Sequence, residues 1–289
     1  MKRFHLSTRV AALILALSMI FTLAACGDRS VKPTPDGSSS SDVSSSVPAF
    51  INPLPDVDLT AIAKPEPPAA DLLAKINTAY NQNNDVVGWI SLSNTTINDE
   101  VLHYTDNLYY ERRDITKGYN WHGCYWADFE CKFGDRNSIS KNTIIYGHSM
   151  DDNPEGVKFS QLKKLNDKDF AAANPYINFS TPEDNMVWKI FSVMYTDTNL
   201  AYIHPEMKNS EFMKLVGEAK LRSKLNYDVD VNASDKILTL STCTYPTNNK
   251  EINDHTRFVV MARLVRPGEK IEPTVKVEVN ANVKAPQYK

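Results

Sequence analysis

Short apolar segments, each bounded by polar or turn-forming residues, recur along the chain from about residue 86 to residue 265. They are rich in β-branched and aromatic side chains, which favour strands. Many short strands and few helices predict a closed or nearly closed β-barrel. The segments are VVGWISLS from Val86, GCYWAD from Gly123, NTIIYGH from Asn142, YINFS from Tyr176, MVWKIFSVMY from Met186, KILTLSTC from Lys236 and RFVVMARLV from Arg257.

Two other segments follow helical spacing. The first opens the folded part of the chain near Ala69, and its apolar face consists of Leu72, Leu73, Ile76, Ala79 and Tyr80. The second precedes the KILTLSTC segment, and its apolar face consists of Phe212, Leu215, Val216 and Ala219. Between YINFS and MVWKIFSVMY, residues 181–185 (TPEDN) predict a hairpin loop. Beyond Pro267 the valine-alternating sequence TVKVEVNANV predicts either an extra edge strand or a disordered tail.

The N-terminus has the layout of an export signal. Lys2, Arg3 and Arg9 precede an uncharged run of 16 residues, Val10 to Ala25. As a helix this run would reach about 24 Å, which is shorter than the hydrocarbon core of a bilayer, about 30 Å. This segment therefore predicts export of the protein, and it is short for a helix that spans the membrane.

Residues 23–27 (LAACG) resemble the lipobox of bacterial lipoproteins, in which the cysteine is lipidated and becomes the new N-terminus. The resemblance implies a signal peptide over residues 1–25 and a lipid on Cys26. The alternative is a signal anchor that is not cleaved. Both interpretations place the body of the protein at the extracellular face of the plasma membrane.

A tether over residues 26–68 separates this signal from the folded part. Seven serines fall between Ser38 and Ser46, and eight of the 16 prolines lie between Val31 and Pro68. Such a composition buries too little apolar area to offset the entropy of ordering. We therefore expect one catalytic domain over residues 69–266 and a C-terminal tail over residues 267–289.

The composition argues against a nucleic-acid-binding protein. The 289 residues carry a net charge of −3 and have a pI of about 6.1, so no basic field favours binding to nucleic acid. Hydrophobic residues make up 42% of the chain, which is typical of a soluble domain.

Cys124 and Cys131 are open to two interpretations. In an oxidising exterior they could form a disulfide, or they could remain two free thiols, because sequence alone gives no geometry. Their spacing does not match a paired CxxC zinc site. We expect neither a metal nor another cofactor.

The segment from Thr239 to Tyr245, TLSTCTY, is the sharpest local signal. A strand pattern ends here at Cys243, which is flanked by small hydroxyl residues, so the thiol lies at a strand end. An isolated cysteine is more often inert packing than a nucleophile. By itself this segment leaves both interpretations open.

Gly147 and His148 follow directly on the NTIIY segment. The glycine permits a tight turn, and the imidazole is then placed at the exit of a strand. The other histidines have no comparable setting: His5, His103, His122, His204 and His255.

Arg257 opens a strong strand pattern 14 residues after Cys243. If the two strands pair through the intervening loop, Arg257 and Cys243 lie at the same end of the barrel. Taken together, Cys243, His148 and Arg257 supply the nucleophile, the proton carrier and the permanent cation that acyl transfer requires.

These three segments resemble the sortases. TLSTC, a later RFVV strand and a strand that ends in YGH are signature pieces of that family, and the resemblance extends from about Ala69 to Val265. Further features point to class B: the initial helix, VVGWI, the segment DNLYY from Asp106, the GCYWAD strand, Phe159 and Leu162 after the histidine, and the long helix before the cysteine strand.

The resemblance implies an eight-stranded sortase barrel with an N-terminal helix, a helix inserted before the cysteine strand, and a cysteine transpeptidase activity. By position, Cys243 matches the nucleophile, His148 the acid/base and Arg257 the oxyanion stabiliser, and the backbone N–H of Thr244 is a further oxyanion candidate. The partners it implies are exported proteins with a C-terminal sorting motif, which form a thioacyl-enzyme, and an amine of the cell wall or a peptidoglycan precursor.

Two departures and two alternatives accompany the resemblance. Sortases are commonly held by a spanning N-terminal helix rather than a lipobox, and the loop TYPTNNKEINDHT between Cys243 and Arg257 is long. One alternative is a pilin-polymerising sortase, whose acceptor is a lysine of another protein. The other is a surface lipoprotein that only binds ligands.

Overall fold

Eight strands form a closed β-barrel within residues 64–287, the part of the chain that the computed structural model describes. The barrel strands are β1 (Val86–Leu92), β2 (Asn98–His103), β3 (Tyr125–Ala127), β4 (Asn142–Tyr146), β5 (Tyr176–Ser180), β6 (Val187–Asp197), β8 (Ile237–Cys243) and β9 (Thr256–Leu264). The predicted eight-stranded barrel is thus confirmed.

The order of the strands around the barrel is β1, β2, β3, β4, β8, β9, β6 and β5, and β5 closes onto β1. Most neighbours are antiparallel. Two pairs are parallel, β2 with β3 and β4 with β8. Parallel neighbours need a crossover connection, and between β4 and β8 the chain forms three helical segments and three strands before it returns.

Four α-helices and one 3₁₀ segment accompany the barrel within the same range: α1 (Ala70–Gln82), the 3₁₀ segment (Lys158–Asn166), α2 (Lys168–Ala173), α3 (Asn209–Arg222) and α4 (Lys250–Asp254). α1 and α3 are the two predicted helices. The predicted apolar face of α3 is buried at all four positions. In α1, however, Tyr80 is 49% exposed, so its place on the buried face was wrong, and Ile76 and Ala79 make the inward contacts.

The core fills the barrel and continues beneath α3. In β1 burial alternates, as expected for a strand with one face inward. β6, β8 and β9 are buried at nearly every position, because other elements cover their outer faces. α3 covers β6: Ser192 Oγ donates to the Ala219 carbonyl at 2.8 Å, and Ser223 Oγ accepts from the Val193 N–H at 3.0 Å.

Of the two alternatives for the C-terminal segment, the extra edge strand is the one that forms. Strand β10 (Val277–Val279) pairs with β7 (Leu225–Tyr227) in a separate two-stranded sheet. An ion pair also joins the C-terminal segment to the barrel. The guanidinium of the buried Arg263, on β9, lies 2.7 Å from the carboxylate of Glu269. That pairing lowers the pKa of Glu269 to about 2.

No helix within residues 64–287 is long and apolar enough to cross a membrane. The predicted signal, Cys26 and most of the predicted tether lie outside the described residues.

Candidate active site

Cys243 is the last residue of β8. Of the two strands beside β8, β9 carries Arg257, and β4 ends two residues before His148. Antiparallel pairing sets Cys243 opposite Arg257 on β9. Parallel pairing aligns Tyr146, the end of β4, with Ser241. His148 and Cys243 each follow two residues later, so they leave the sheet at the same level. The structure therefore brings Cys243, His148 and Arg257 to one end of the barrel.

Gly147 keeps the exit of β4 close to β8. Its N–H donates to the Ser241 carbonyl at 3.4 Å, and its carbonyl accepts from Thr242 Oγ1 at 2.6 Å. A Cβ at this position would lie 2.7 Å from a ring carbon of Phe159 and 2.9 Å from one of Tyr125. A larger residue would have to displace these buried rings, so the close approach requires glycine.

The His148 imidazole is nearly buried, with 8% of its surface exposed. Its Nε2 lies 2.7 Å from the Glu111 carbonyl oxygen. A carbonyl can only accept, so Nε2 carries a proton, and in the neutral ring Nδ1 is the nitrogen that can take one up. Burial lowers the pKa of His148, the hydrogen bond to Glu111 opposes this shift, and the positive charge of Arg112 adds to it.

The end of α4 orients the Arg257 guanidinium. Its Nη1 donates to the carbonyl oxygens of Asp254 at 2.9 Å and Thr256 at 2.8 Å. Asp254 is the last residue of α4, which forms within the long loop between β8 and β9. Both bonds use Nη1, and no acceptor among residues 64–287 is bonded to Nη2 or Nε. This partly exposed arginine therefore keeps donors for a bound group.

The three described thiols differ in their surroundings. Cys243 is free and half-buried, whereas Cys124 and Cys131 are free and buried, so no disulfide links them. Burial raises the pKa of both buried thiols, that of Cys131 to about 12. Cys131 Sγ also accepts the N–H of Ile144 at 3.4 Å. These two thiols stay protonated at neutral pH and serve packing.

Sequence reasoning missed Asp152, which joins the loop after His148 to the segment after Cys243. Its carboxylate accepts from Thr244 Oγ1 and from the Tyr245 N–H, both at 2.8 Å. The Tyr245 hydroxyl in turn donates to the Ser149 carbonyl at 2.6 Å. Thr244, the backbone oxyanion candidate, is fully buried within this network. No spacing in the polar sequence MDDNPEG marks Asp152 as a site residue.

Within residues 64–287 no group of three or more histidine, cysteine, aspartate or glutamate side chains is arranged to hold a metal ion.

Comparisons with known proteins agree with this arrangement. The family model of the sortase domain matches residues 121–265, which include β4, β8 and β9. Sortase B of Listeria monocytogenes is 32% identical over 184 residues, or 63% of this chain and 71% of that protein.

Solved structures are similar as well. A Staphylococcus aureus sortase B–substrate complex gives a TM-score of 0.59 at 28% identity, and the match covers 68% of this chain and 86% of that chain. A crystal structure of Sortase B complexed with triglycine gives a TM-score of 0.58 at 29% identity, over 66% of this chain and 85% of that one.

The charge of Arg112 yields a prediction for His148. We expect Arg112→Gln to raise the pKa of His148, because removing a nearby cation stabilises the imidazolium. An NMR titration of the His148 ring proton measures this pKa. Arg113→Gln is the matched control, since the Arg113 guanidinium contacts Tyr109 instead. An unchanged or lower pKa of His148 in Arg112→Gln would contradict the electrostatic account.

Proposed function

Because this chain belongs to the sortase family, and within it to class B, we propose that its catalytic site consists of Cys243, His148 and Arg257. In this proposal Cys243 is the nucleophile, His148 the acid/base and Arg257 the oxyanion stabiliser. The observation that most directly supports this assignment is the strand register. It pairs Cys243 with Arg257, and it places Cys243 level with His148, which follows the end of β4.

In the first half of the reaction the Cys243 thiolate attacks the carbonyl carbon of the scissile peptide bond. The bond from carbon to nitrogen then breaks, the leaving amine takes a proton from His148, and the acyl group remains on sulfur as a thioester. In the second half an amine attacks the thioester and gives its proton to His148. The new amide forms, and the thiolate is released.

The environment of His148 suits it to this proton transfer. Its pKa is lowered, so the imidazolium gives up its proton to a leaving amine more readily than an ordinary one would. The hydrogen bond from Nε2 to Glu111 leaves Nδ1 as the exchanging nitrogen. The same bond orients the ring, because it holds the Nε2–H toward the Glu111 carbonyl.

Arg257 is suited to charge stabilisation and not to proton transfer, because a guanidinium does not lose its proton in proteins. Its fork of donors can hold the carbonyl oxygen as negative charge develops there. The backbone N–H of Thr244 is a second candidate donor, since Thr244 directly follows the nucleophile.

We propose that the substrates are exported proteins with a C-terminal sorting motif and that the acceptor is an amine of the cell wall or of a peptidoglycan precursor. One similar structure is described as a substrate complex and another as complexed with triglycine, a peptide that carries a free amine. Membership in a family of cysteine transpeptidases supports an enzyme over a lipoprotein that only binds ligands. No observation on the described residues favours a pilin-polymerising role.

The proposed location is the extracellular face of the plasma membrane. A signal peptide over residues 1–25, a lipid on Cys26 and a tether over residues 26–68 would hold a catalytic domain of residues 69–266 away from the bilayer. The support is the uncharged run that ends in LAACG and the serine- and proline-rich sequence that follows it.

We expect Cys243→Ala to unfold as the wild type does and to lose turnover of a sorting-motif peptide, because no thioester can form. A chromatographic assay with and without an added amine measures both cleavage and transfer. Cys131→Ala is the matched control: it removes a buried thiol and should retain activity. Cleavage by purified Cys243→Ala would refute the proposed nucleophile.

We expect Cys26→Ala to block lipoprotein processing, because the lipid is attached to the cysteine sulfur. The N-terminus and mass of the protein extracted from membranes measure processing. A wild-type mature protein that still contains residues before Cys26 would instead indicate the uncleaved anchor.

A further inference from the structure

Lys163 is a buried lysine at the candidate site. It lies in the 3₁₀ segment Lys158–Asn166, and only 4% of its surface is exposed. Lysine is rarely this buried unless its ammonium group is paired. Its chain neighbour Lys164 differs, since it pairs with the exposed Glu155 at 2.9 Å.

Four oxygen atoms surround the Lys163 ammonium group. The Asp152 carboxylate lies at 2.9 Å, the Asp151 carbonyl at 3.0 Å and the Cys243 carbonyl at 3.3 Å, and the Ser149 hydroxyl also accepts from it. An ammonium has three protons to donate, so these acceptors use its full capacity.

These acceptors belong to two separate parts of the chain. Ser149, Asp151 and Asp152 form the loop that directly follows His148, whereas Cys243 ends β8. Asp152 extends the connection, because it accepts from Thr244 and Tyr245, the two residues after Cys243. A single ammonium group thus joins the segment after the histidine to the segment that carries the thiol.

Removing the Lys163 ammonium group from water costs free energy. Burial lowers the pKa of Lys163, and the Asp152 carboxylate only partly offsets this shift. For Asp152 burial acts to raise the pKa, but hydrogen bonds and the charge of Lys163 outweigh it and the pKa is lowered. An apolar side chain of the same length would avoid the cost of removing a charge from water.

We propose that Lys163 is a positioning residue that fixes His148 and Cys243 relative to each other. The inference rests on the proposed roles of these two residues. Gly147 is bonded to β8, but the loop that follows His148 lies beyond the end of β4. The Lys163 cross-link, together with Asp152, adds a connection between this loop and the segment around Cys243.

The same bond also fixes a peptide plane. The carbonyl of Cys243 and the N–H of Thr244 belong to one planar trans unit and point in opposite directions. When Lys163 holds the carbonyl, it also sets the direction of the Thr244 N–H. Both the proton carrier and the backbone oxyanion candidate therefore depend on this cross-link.

The test compares Lys163→Met with the double variant Lys163→Met, Asp152→Asn. Methionine keeps the length of the side chain and removes its donors. The double variant removes one positive and one negative charge, so it leaves the local net charge unchanged and avoids a stranded carboxylate. If the single variant fails to fold, the same measurements on the double variant decide the role of Lys163. Lys164→Met is the matched control.

Two quantities are measured: kcat and KM for a sorting-motif peptide, and the pH profile of Cys243 alkylation by iodoacetamide. Misplacement of reacting groups by about 1 Å can cost about 100-fold in rate. We expect kcat to fall about 10- to 100-fold in both variants with KM within about 3-fold of wild type. The alkylation profile should also differ from that of the wild type in the double variant, because the His148 ring is expected to change its position relative to the Cys243 thiol.

Several results would overturn the proposal. They are a kcat within about 2-fold of wild type in both variants, a double variant that regains the wild-type kcat, a loss confined to KM, or an unshifted alkylation profile in the double variant. A wild-type enzyme that does not turn over the peptide would refute the proposed function instead, and the alkylation profile alone would then decide the role of Lys163.

Discussion

The candidate site depends on one constraint: β8 is hydrogen-bonded to a parallel strand, β4, on one side and to an antiparallel strand, β9, on the other. A parallel neighbour ends where β8 ends, and an antiparallel neighbour begins there. Because β4 is parallel to β8 and β9 is antiparallel to it, the second residue after β4 and the second residue of β9 lie level with the end of β8. His148 and Arg257 occupy these two places, although they lie 109 residues apart in the chain.

Position in the fold also determines which of the thiols Cys243 and Cys131 is accessible to solvent. Six of the seven residues of β8 are buried, and Cys243, the seventh, is the first to reach solvent. Cys131 is chemically identical but lies inside, where the loss of water around a thiolate raises its pKa to about 12. In the proposed mechanism, the difference between Cys243 as nucleophile and Cys131 as packing residue thus follows from where a strand ends, and not from residue type.

Sequence patterns predicted the parts of the molecule that depend on local chemistry. The strands that carry Cys243 and Arg257, and the strand that leads to His148, were evident because their residues are largely β-branched and apolar. β2, with the sequence NDEVLH, was missed because its polar residues form a strand through pairing with β1 and β3. Lys163 could not be recognised, since three lysines lie within residues 158–164 and only tertiary packing determines which is buried.

The central claim is that acyl transfer proceeds through a thioester on Cys243. Mass spectrometry of the intact protein, mixed with a sorting-motif peptide and quenched in acid without added amine, tests it most directly. The account predicts a mass increase equal to the acyl portion of the peptide, mapped by digestion to the fragment that contains Cys243 and removed by hydroxylamine. Turnover without any covalent adduct, or an adduct mapped to another residue, would contradict it.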